Sequence, residues 1–111
     1  MLQKDNRLNL KTDFKWVASG KKIETKFAKL FIKHGDNQTP RIGIALSGKT
    51  FKKATDRNRA KRLLAFAFQS TIYHLPSTIN IVALPKAGVI NVKSEEVLTD
   101  IETELKKIES L

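Results

Sequence analysis

The absence of cysteine is the first constraint in this sequence, because it excludes both disulfide bonds and thiolate metal sites. Long apolar runs are also missing, so no segment is predicted to span a membrane. The first five residues lack the apolar stretch of a secretory signal peptide, and we therefore expect a cytoplasmic protein. A chain of 111 residues is predicted to form a single domain, 1–111, with one core.

Acidic residues are scarce in the first part of the chain. Up to Arg62 there are 17 Lys and Arg against 5 Asp and Glu, a net charge of +12. From Leu63 onward there are 4 against 6, a net charge of −2, which together make the total of +10. Periodic apolar residues separate the cations, a pattern that is not typical of a disordered basic tail. We predict a folded domain in which the part up to Arg62 binds a polyanion, whereas the part from Leu63 onward is close to neutral and has a structural role.

Hydrophobic periodicity predicts seven elements in the order αβββαβα. This order indicates an α+β fold, a two-layer sandwich of helices on a mixed sheet of about four strands. The first helix is expected to be capped by Thr12 or Asp13 and to end near Gly20, and the last to be capped by Ser94. The predicted ranges are 12–19 for the first helix, 22–25, 26–33 and 41–47 for three strands, 55–74 for a basic helix, 79–84 for the fourth strand, and a final helix from 94.

The strand at 26–33 has two different faces. One face carries Ala28, Leu30 and Ile32, and is predicted to be buried. Aromatic and basic side chains alternate on the other face, which suits single-stranded nucleic acid because bases stack on rings while ammonium groups meet phosphates. The alternative is that the rings pack under the first helix and the lysines extend to water. The residues on this second face are Phe27, Lys29, Phe31 and Lys33.

The most informative stretch is 57–62, which places four cations and one amide within six residues. At 100° per residue, Asn58, Arg59 and Arg62 lie opposite the apolar stripe of the basic helix. Cations at a helix start oppose the macrodipole, by roughly 0.3–1 kcal/mol each, so an anionic ligand is expected there. A solvated basic face is the alternative. Phe66 lies at the same angle as the arginines, and we expect another part of the chain to cover it rather than leave an exposed stacking ring.

In order along the chain, several segments resemble the bacterial ribonuclease P protein subunit. They are Arg7-Leu8, Asp13-Phe14, 41–47, Lys49 and 54–64. The resemblance extends from Arg7 to Lys107, and the Arg-Asn-Arg-x-Lys-Arg-Leu motif within 57–63 is its most specific part. It implies a left-handed crossover between the central strand, the basic helix and the next strand. It also implies a role in tRNA maturation, in which a catalytic RNA hydrolyses the phosphodiester bond and the protein holds the 5′ leader of precursor tRNA.

The resemblance also implies site residues, none of them catalytic. The residues expected to contact the catalytic RNA are Lys49, Arg57, Asn58, Arg59, Lys61 and Arg62. Those expected in a leader-binding cleft are Phe14, Trp16, Lys29, Phe31 and Lys33. The chain departs from the family pattern at Ala18, Gly48 and Ala65, and Trp16 is expected to compensate for the aromatic missing at Ala18. Mg²⁺ is expected to be held chiefly by RNA, with no cofactor on the protein and no membrane or protein partner required.

Two other functions are alternatives. The stretch 43–50 satisfies the G-x-x-x-x-G-K-[ST] pattern of a phosphate-binding loop. However, Ile44, Ala45 and Leu46 continue a strand alternation where that loop would need to curl around a phosphate. The second alternative, an RNA-binding protein without a processing role, such as a ribosomal protein, shares the charge and aromatic features but not the motif at 57–64. His34 and His74 are far apart in sequence and are expected to be surface or capping residues.

Overall fold

The computed structural model describes residues 2–109 and confirms the predicted order of elements. Among these residues no helix combines the length and apolar character needed to cross a bilayer. Short 3-10 turns lie at Lys4–Asn6, Ile72–His74 and Ala87–Asn91. The main elements are α1 (Leu10–Ala18), β1 (Lys21–Glu24), β2 (Ala28–His34), β3 (Arg41–Ile44), α2 (Ala54–Thr71), β4 (Ile79–Pro85) and α3 (Ser94–Glu109).

The four strands form one mixed sheet in the order β1-β2-β4-β3. Strand β2 is antiparallel to both β1 and β4, whereas β3 runs parallel to β4. Parallel neighbours need a long crossover, and α2 supplies it. The left-handed sense of this crossover stays a prediction of the family resemblance. The outer edge of β3 is bridged by the N-terminal segment, where the Leu8 amide donates to the Ile42 carbonyl at 3.0 Å.

The helices divide between the two faces of the sheet. Ala28, Leu30 and Ile32 of β2 are buried in the main core, which α2 and α3 complete on one face, so the predicted two-layer sandwich is present. Helix α1 adds a partial third layer on the opposite face, where Val17 packs with Val82 of β4. Because side chains alternate along a strand, this second face presents the residues of β2 that the main core does not use.

Phe27 does not lie on the face predicted for it. The strand begins only at Ala28, so the alternation does not extend back to Phe27, which is buried in the main core instead. A tight turn causes the change, since the Thr25 hydroxyl accepts from the Ala28 amide at 3.0 Å. Both oxygens of the Asp100 carboxylate then accept from the amides of Lys26 and Phe27, each at 3.0 Å. The turn is thereby joined to α3.

The boundaries of several elements differ from the predicted ones. Helix α1 begins two residues earlier, because Asn9 rather than Thr12 or Asp13 is the cap, its side chain accepting from the Lys11 amide at 3.1 Å. Helix α2 begins at Ala54 after Lys53, whose side chain makes no capping hydrogen bond. Its last predicted turn is a 3-10 turn, and β3 ends at Ile44. Ser94 is the first helical residue of α3 rather than its cap.

Replacing Asp100 with alanine should lower the free energy of unfolding by about 1.5–3 kcal/mol, the usual range for hydrogen bonds to a charged group. Two backbone amides of the turn at 25–28 would lose their acceptor. Glu102→Ala on the same helix is the control, because it removes only a surface ion pair with Lys106, worth up to about 1 kcal/mol. Urea unfolding of both variants measures the difference. Equal losses would contradict an anchoring role for Asp100.

Candidate nucleic-acid interface

The structure brings the two predicted cleft aromatics together on the α1 side of the sheet. Phe14 comes from α1 and Phe31 from β2, and both half-buried rings pack against the cluster of Leu8, Val17 and Val82. Phe31 lies beside Val82 in the register of β2 and β4. Each ring therefore has an apolar side against the protein and a part that remains open to solvent. These two half-buried rings between α1 and the sheet form the aromatic surface of the predicted cleft.

The lysines and the tryptophan of the predicted cleft lie on the same side. Lys29 and Lys33 flank Phe31 at alternate positions of β2. The Lys33 ammonium lies 5.3 Å from the centroid of the Trp16 ring and donates to the Ser19 hydroxyl at 2.9 Å. Trp16 itself is 41% exposed. All five predicted cleft residues thus lie on the α1 side of the sheet, with Trp16 and Phe14 on opposite flanks of the helix, about 200° apart.

Gly35 makes room for the tryptophan ring. A Cβ built at this glycine would lie only 2.9 Å from Cη2 of Trp16. Any larger residue would therefore push the indole away from its position next to Lys33. The ring is held from two sides while its remaining surface stays open, which is the geometry that a stacking platform needs.

A polar groove beside Trp16 was not predicted from the sequence. Its volume is about 890 Å³, and it lies between the N-terminal 3-10 turn, α1 and the 36–41 turn. Asn80 forms part of its lining; this side chain is 3% exposed, and its amide donates to Asn37 at 2.9 Å and to the Lys33 carbonyl at 3.2 Å. A polar residue inside an otherwise apolar strand was the signal available in the sequence. The charged lining residues are Lys4, Asp5, Arg7, Asp13, Asp36 and Arg41.

One carboxylate lies at the edge of the cleft. Glu24 of β1 faces Lys29 in the strand register, and its oxygen is 2.9 Å from the Lys86 ammonium. The hydrogen bond and charge of Lys86 lower the pKa of Glu24 below its usual value, with smaller contributions from Lys29 and Lys22. Glu24 is therefore ionised at neutral pH, but its charge is matched by that of Lys86.

Two arginines of the basic motif are bound to the protein itself. The Arg57 guanidinium donates to the Phe51 carbonyl at 2.8 Å and to the Lys52 carbonyl at 3.3 Å, and so ties down the loop before α2. Arg59 donates through Nε to the Ile90 carbonyl at 2.9 Å. Its Nη2 reaches the Val92 carbonyl at 3.4 Å. These two side chains therefore support the local structure as well as carrying charge.

The remaining residues of the motif face solvent. Asn58, Lys61 and Arg62 line a shallow surface groove of about 380 Å³ together with Thr55. Lys49 is exposed in the preceding loop. Among the described residues, no ion pair involves a cation of this motif. The positive charge at the start of α2 is therefore available to an external anion.

Phe66 is 43% exposed, so the expectation that another part of the chain covers it was wrong. The segment that crosses this side of α2 contributes the Ile90 and Val92 carbonyls to Arg59, about two helical turns before Phe66. Within the described chain no element continues over the ring.

The stretch 43–50 does not form a phosphate-binding loop. Gly43 is a residue of β3, and a Cβ there would lie 2.6 Å from Cδ2 of Leu10. Its surface is thus covered by the N-terminal segment rather than open to a phosphate. No glycine among residues 2–109 has a positive φ, as the curled backbone of such a loop would favour. The nucleotide-hydrolase alternative is thereby excluded.

A small α+β domain with partly exposed aromatic rings and lysines on one side of its sheet and a cation-rich helix on the other has the features of an RNA-binding protein. The family model described as Ribonuclease P matches residues 2–109. The chain belongs to the ribonuclease P protein family, and a role in tRNA processing follows from that membership. The resemblance drawn from the sequence is thus confirmed. It rules out the alternative function of an RNA-binding protein without a processing role.

Individual relatives agree with this assignment. The ribonuclease P protein component of Pseudoalteromonas atlantica is 35% identical over 79 residues, which are 71% of this chain and 65% of that protein. That of Legionella pneumophila strain Lens is 40% identical over 88 residues, 78% of this chain and 75% of that protein. The aligned part thus spans about two thirds to three quarters of these relatives.

Solved structures share the fold. The RNase P protein of Thermotoga maritima, in complex with 1-(4-fluorophenyl)-2-thiourea, superposes with a TM-score of 0.80 at 26% identity, covering 90% of this chain and 97% of that one. A mutant RNase P protein of Staphylococcus aureus superposes with a TM-score of 0.82 at 19% identity, covering 96% and 90%. The second similarity supports the fold alone.

Proposed function

We propose that this chain is the protein subunit of a cytoplasmic ribonuclease P, which binds a catalytic RNA and the 5′ leader of precursor tRNA and so promotes removal of the leader. The observation that carries the proposal is the presence of two different cationic surfaces on opposite sides of one sheet. The catalytic RNA performs the hydrolysis and chiefly holds the Mg²⁺ that the reaction uses.

The start of α2 is the proposed contact with the catalytic RNA. Its cations have no carboxylate partner within the described chain, and the uncapped first turn adds backbone amides and the positive end of the helix dipole. Such a surface recognises phosphates rather than base sequence, and therefore positions a folded RNA. The residues proposed to contact this RNA are Lys49, Arg57, Asn58, Arg59, Lys61 and Arg62.

The cleft under α1 is the proposed contact with the leader. A leader is single-stranded, so its bases are free to stack on rings, whereas those of a duplex are not. Phe14 and Phe31 are half-buried and share one apolar cluster, which holds them in place before any RNA arrives. Lys29 and Lys33 flank Phe31 where the leader phosphates would pass, and Trp16 adds an exposed ring beside Lys33.

Reconstitution tests the proposed function directly. The purified chain should accelerate the cleavage of precursor tRNA by a bacterial ribonuclease P RNA at low Mg²⁺, where the RNA alone is slow. The 5′ end of the product should be that of mature tRNA. A basic protein of similar size and charge serves as control, since mere charge neutralisation would make it equally effective. Equal acceleration by the control, or none by this chain, would overturn the proposal.

The internal hydrogen bonds of Arg59 predict that two arginines of the motif behave differently. Arg62→Ala should weaken binding of the catalytic RNA and leave the free energy of unfolding unchanged, because Arg62 is exposed. Arg59→Ala should weaken binding and also lower stability by about 0.5–1.5 kcal/mol, the usual net value of such hydrogen bonds. Urea unfolding and RNA binding of both variants test this. Unchanged stability in Arg59→Ala would contradict the structural role.

A further inference from the structure

The inference concerns the exposed side of α2 beyond the basic motif. Among the described residues only three large hydrophobic side chains are exposed, and one of them, Trp16, belongs to the proposed leader cleft. The other two are Phe66, 43% exposed, and Tyr73, 83% exposed, in α2 and the 3-10 turn that follows it. A single exposed ring needs no explanation, but the position of these two rings relative to the motif does.

The rings continue the line of the motif. Arg62 and Phe66 are four residues apart, so their side chains are neighbours on the helix surface. Tyr73 is seven residues beyond Phe66, in the 3-10 turn after α2, and so lies about 10 Å further along the axis. Arg59 lies seven residues before Phe66 on the same side. The exposed side of α2 therefore carries guanidinium groups in its first half and the Phe66 ring in its second half, and Tyr73 lies in the turn that follows.

The charges around this line favour an anionic partner. The sequence has no Asp or Glu from Arg57 to Ser94, so the helix carries no carboxylate along the whole line. From α3, Glu102 lines a groove together with Ser70 and His74 at the C-terminal end of α2. Its charge is compensated by Lys106 at 3.1 Å. A polyanion bound at Arg62 would thus meet no carboxylate of α2 as it passed toward the C-terminal end of the helix.

We propose that Phe66, with Tyr73 behind it, is a stacking platform for unpaired nucleotides of the catalytic RNA, and that the RNA contact extends along α2 past the basic motif. This inference rests on the proposed function. Ring planes beside guanidinium groups are the combination that binds unpaired nucleotides, because bases stack while phosphates pair with cations. A second copy of this chain is a less suitable occupant, because it would bring a further +10 of charge toward the same arginines.

The test uses catalytic RNA of a bacterial ribonuclease P and two substitutions at one position. Phe66→Leu keeps an apolar side chain and removes the ring, and should weaken RNA binding about 5- to 20-fold, the lower part of the range for one stacked base. Phe66→Tyr keeps the ring and should bind as the original chain does. The dependence of log affinity on log salt should be the same for all three, because stacking releases no counterions. Arg62→Ala, in contrast, should reduce that slope by about 0.7–0.9.

The outcomes separate this inference from the function on which it rests. If the original chain binds the RNA and Arg62→Ala weakens it, while Phe66→Leu binds normally, the platform is refuted and the proposed function stands. Equal weakening by leucine and tyrosine would also refute it. If sedimentation shows a dimer that Phe66→Leu abolishes, with RNA affinity unchanged, the ring serves a second copy of the chain instead. If the original chain does not bind the RNA, the proposed function is refuted, and the inference that rests on it is refuted as well.

Discussion

Raising the salt concentration from 50 to 200 mM should weaken the complex with the catalytic RNA by about 10²- to 10³-fold. If the five cations of the proposed contact each neutralise one phosphate, each contributes about 0.7–0.9 to the slope of log affinity against log salt, and the slope should be close to −4. The five are Lys49, Arg57, Arg59, Lys61 and Arg62. Titrations of the RNA at four or more salt concentrations measure this slope.

A pair of matched double variants locates the effect. Lys49→Gln with Arg62→Gln removes two proposed contacts and should reduce the slope by about 1.4–1.8. Lys106→Gln with Lys107→Gln removes the same charge from α3, where both lysines have carboxylate partners, and should leave the slope unchanged. A flat salt response of the original chain would contradict the electrostatic interpretation. An equal reduction in both double variants would show that only net charge matters.

The second large effect is expected at the aromatic cleft. If Phe14 and Phe31 stack on leader bases, each contributes about 1–3 kcal/mol to leader binding with little base preference. Phe14→Leu and Phe31→Leu keep most of the apolar volume and remove the ring. The reconstituted enzyme should then bind precursor tRNA about 5- to 150-fold more weakly per ring, the factor equivalent to that energy. Its affinity for mature tRNA, which has no leader, should not change.

The half-buried position of both rings makes the control necessary. Each ring packs against the cluster of Leu8, Val17 and Val82, so leucine also perturbs packing, typically by less than about 1.5 kcal/mol. A loss due to packing alone would lower thermal stability and weaken precursor and mature tRNA alike. That result would remove Phe14 and Phe31 from the proposed leader site. Val17→Ala, which perturbs the same cluster but keeps both aromatic rings, provides the reference for such a loss.

Local periodicity was enough to predict the order of elements and the buried side of α2. Ala60, Leu64 and Ala67 are fully buried as their spacing indicates, because one stripe of a helix must face the core whatever it packs on. The alternation in β2 likewise placed Phe31 between Lys29 and Lys33 on a shared face. Both features depend only on residues close in sequence, which is why a pattern could reveal them.

Features that depend on distant residues could not be predicted in this way. The partners of Arg59 are carbonyl groups about thirty residues further along the chain, and they become neighbours only when the stretch at 87–92 crosses α2. The acceptor for the amide of Phe27 is Asp100, so its burial depends on the docking of α3. Phe66 is exposed because the stretch at 87–92 crosses α2 near Arg59 and does not reach the ring. The groove beside Trp16 forms only where three separate segments of the chain meet.

The two borders of the sheet are protected against lateral growth by different means. At β3, the Leu8 amide donates to the Ile42 carbonyl, so the N-terminal segment covers the middle of the border against a strand from another molecule. At β1, the border is only four residues long, and Lys21 and Lys22 project exposed from it, so an incoming chain meets positive charge. Removing the residues before Leu10 should therefore expose the border of β3 and cause aggregation, which size-exclusion chromatography of the shortened and the original chain would measure.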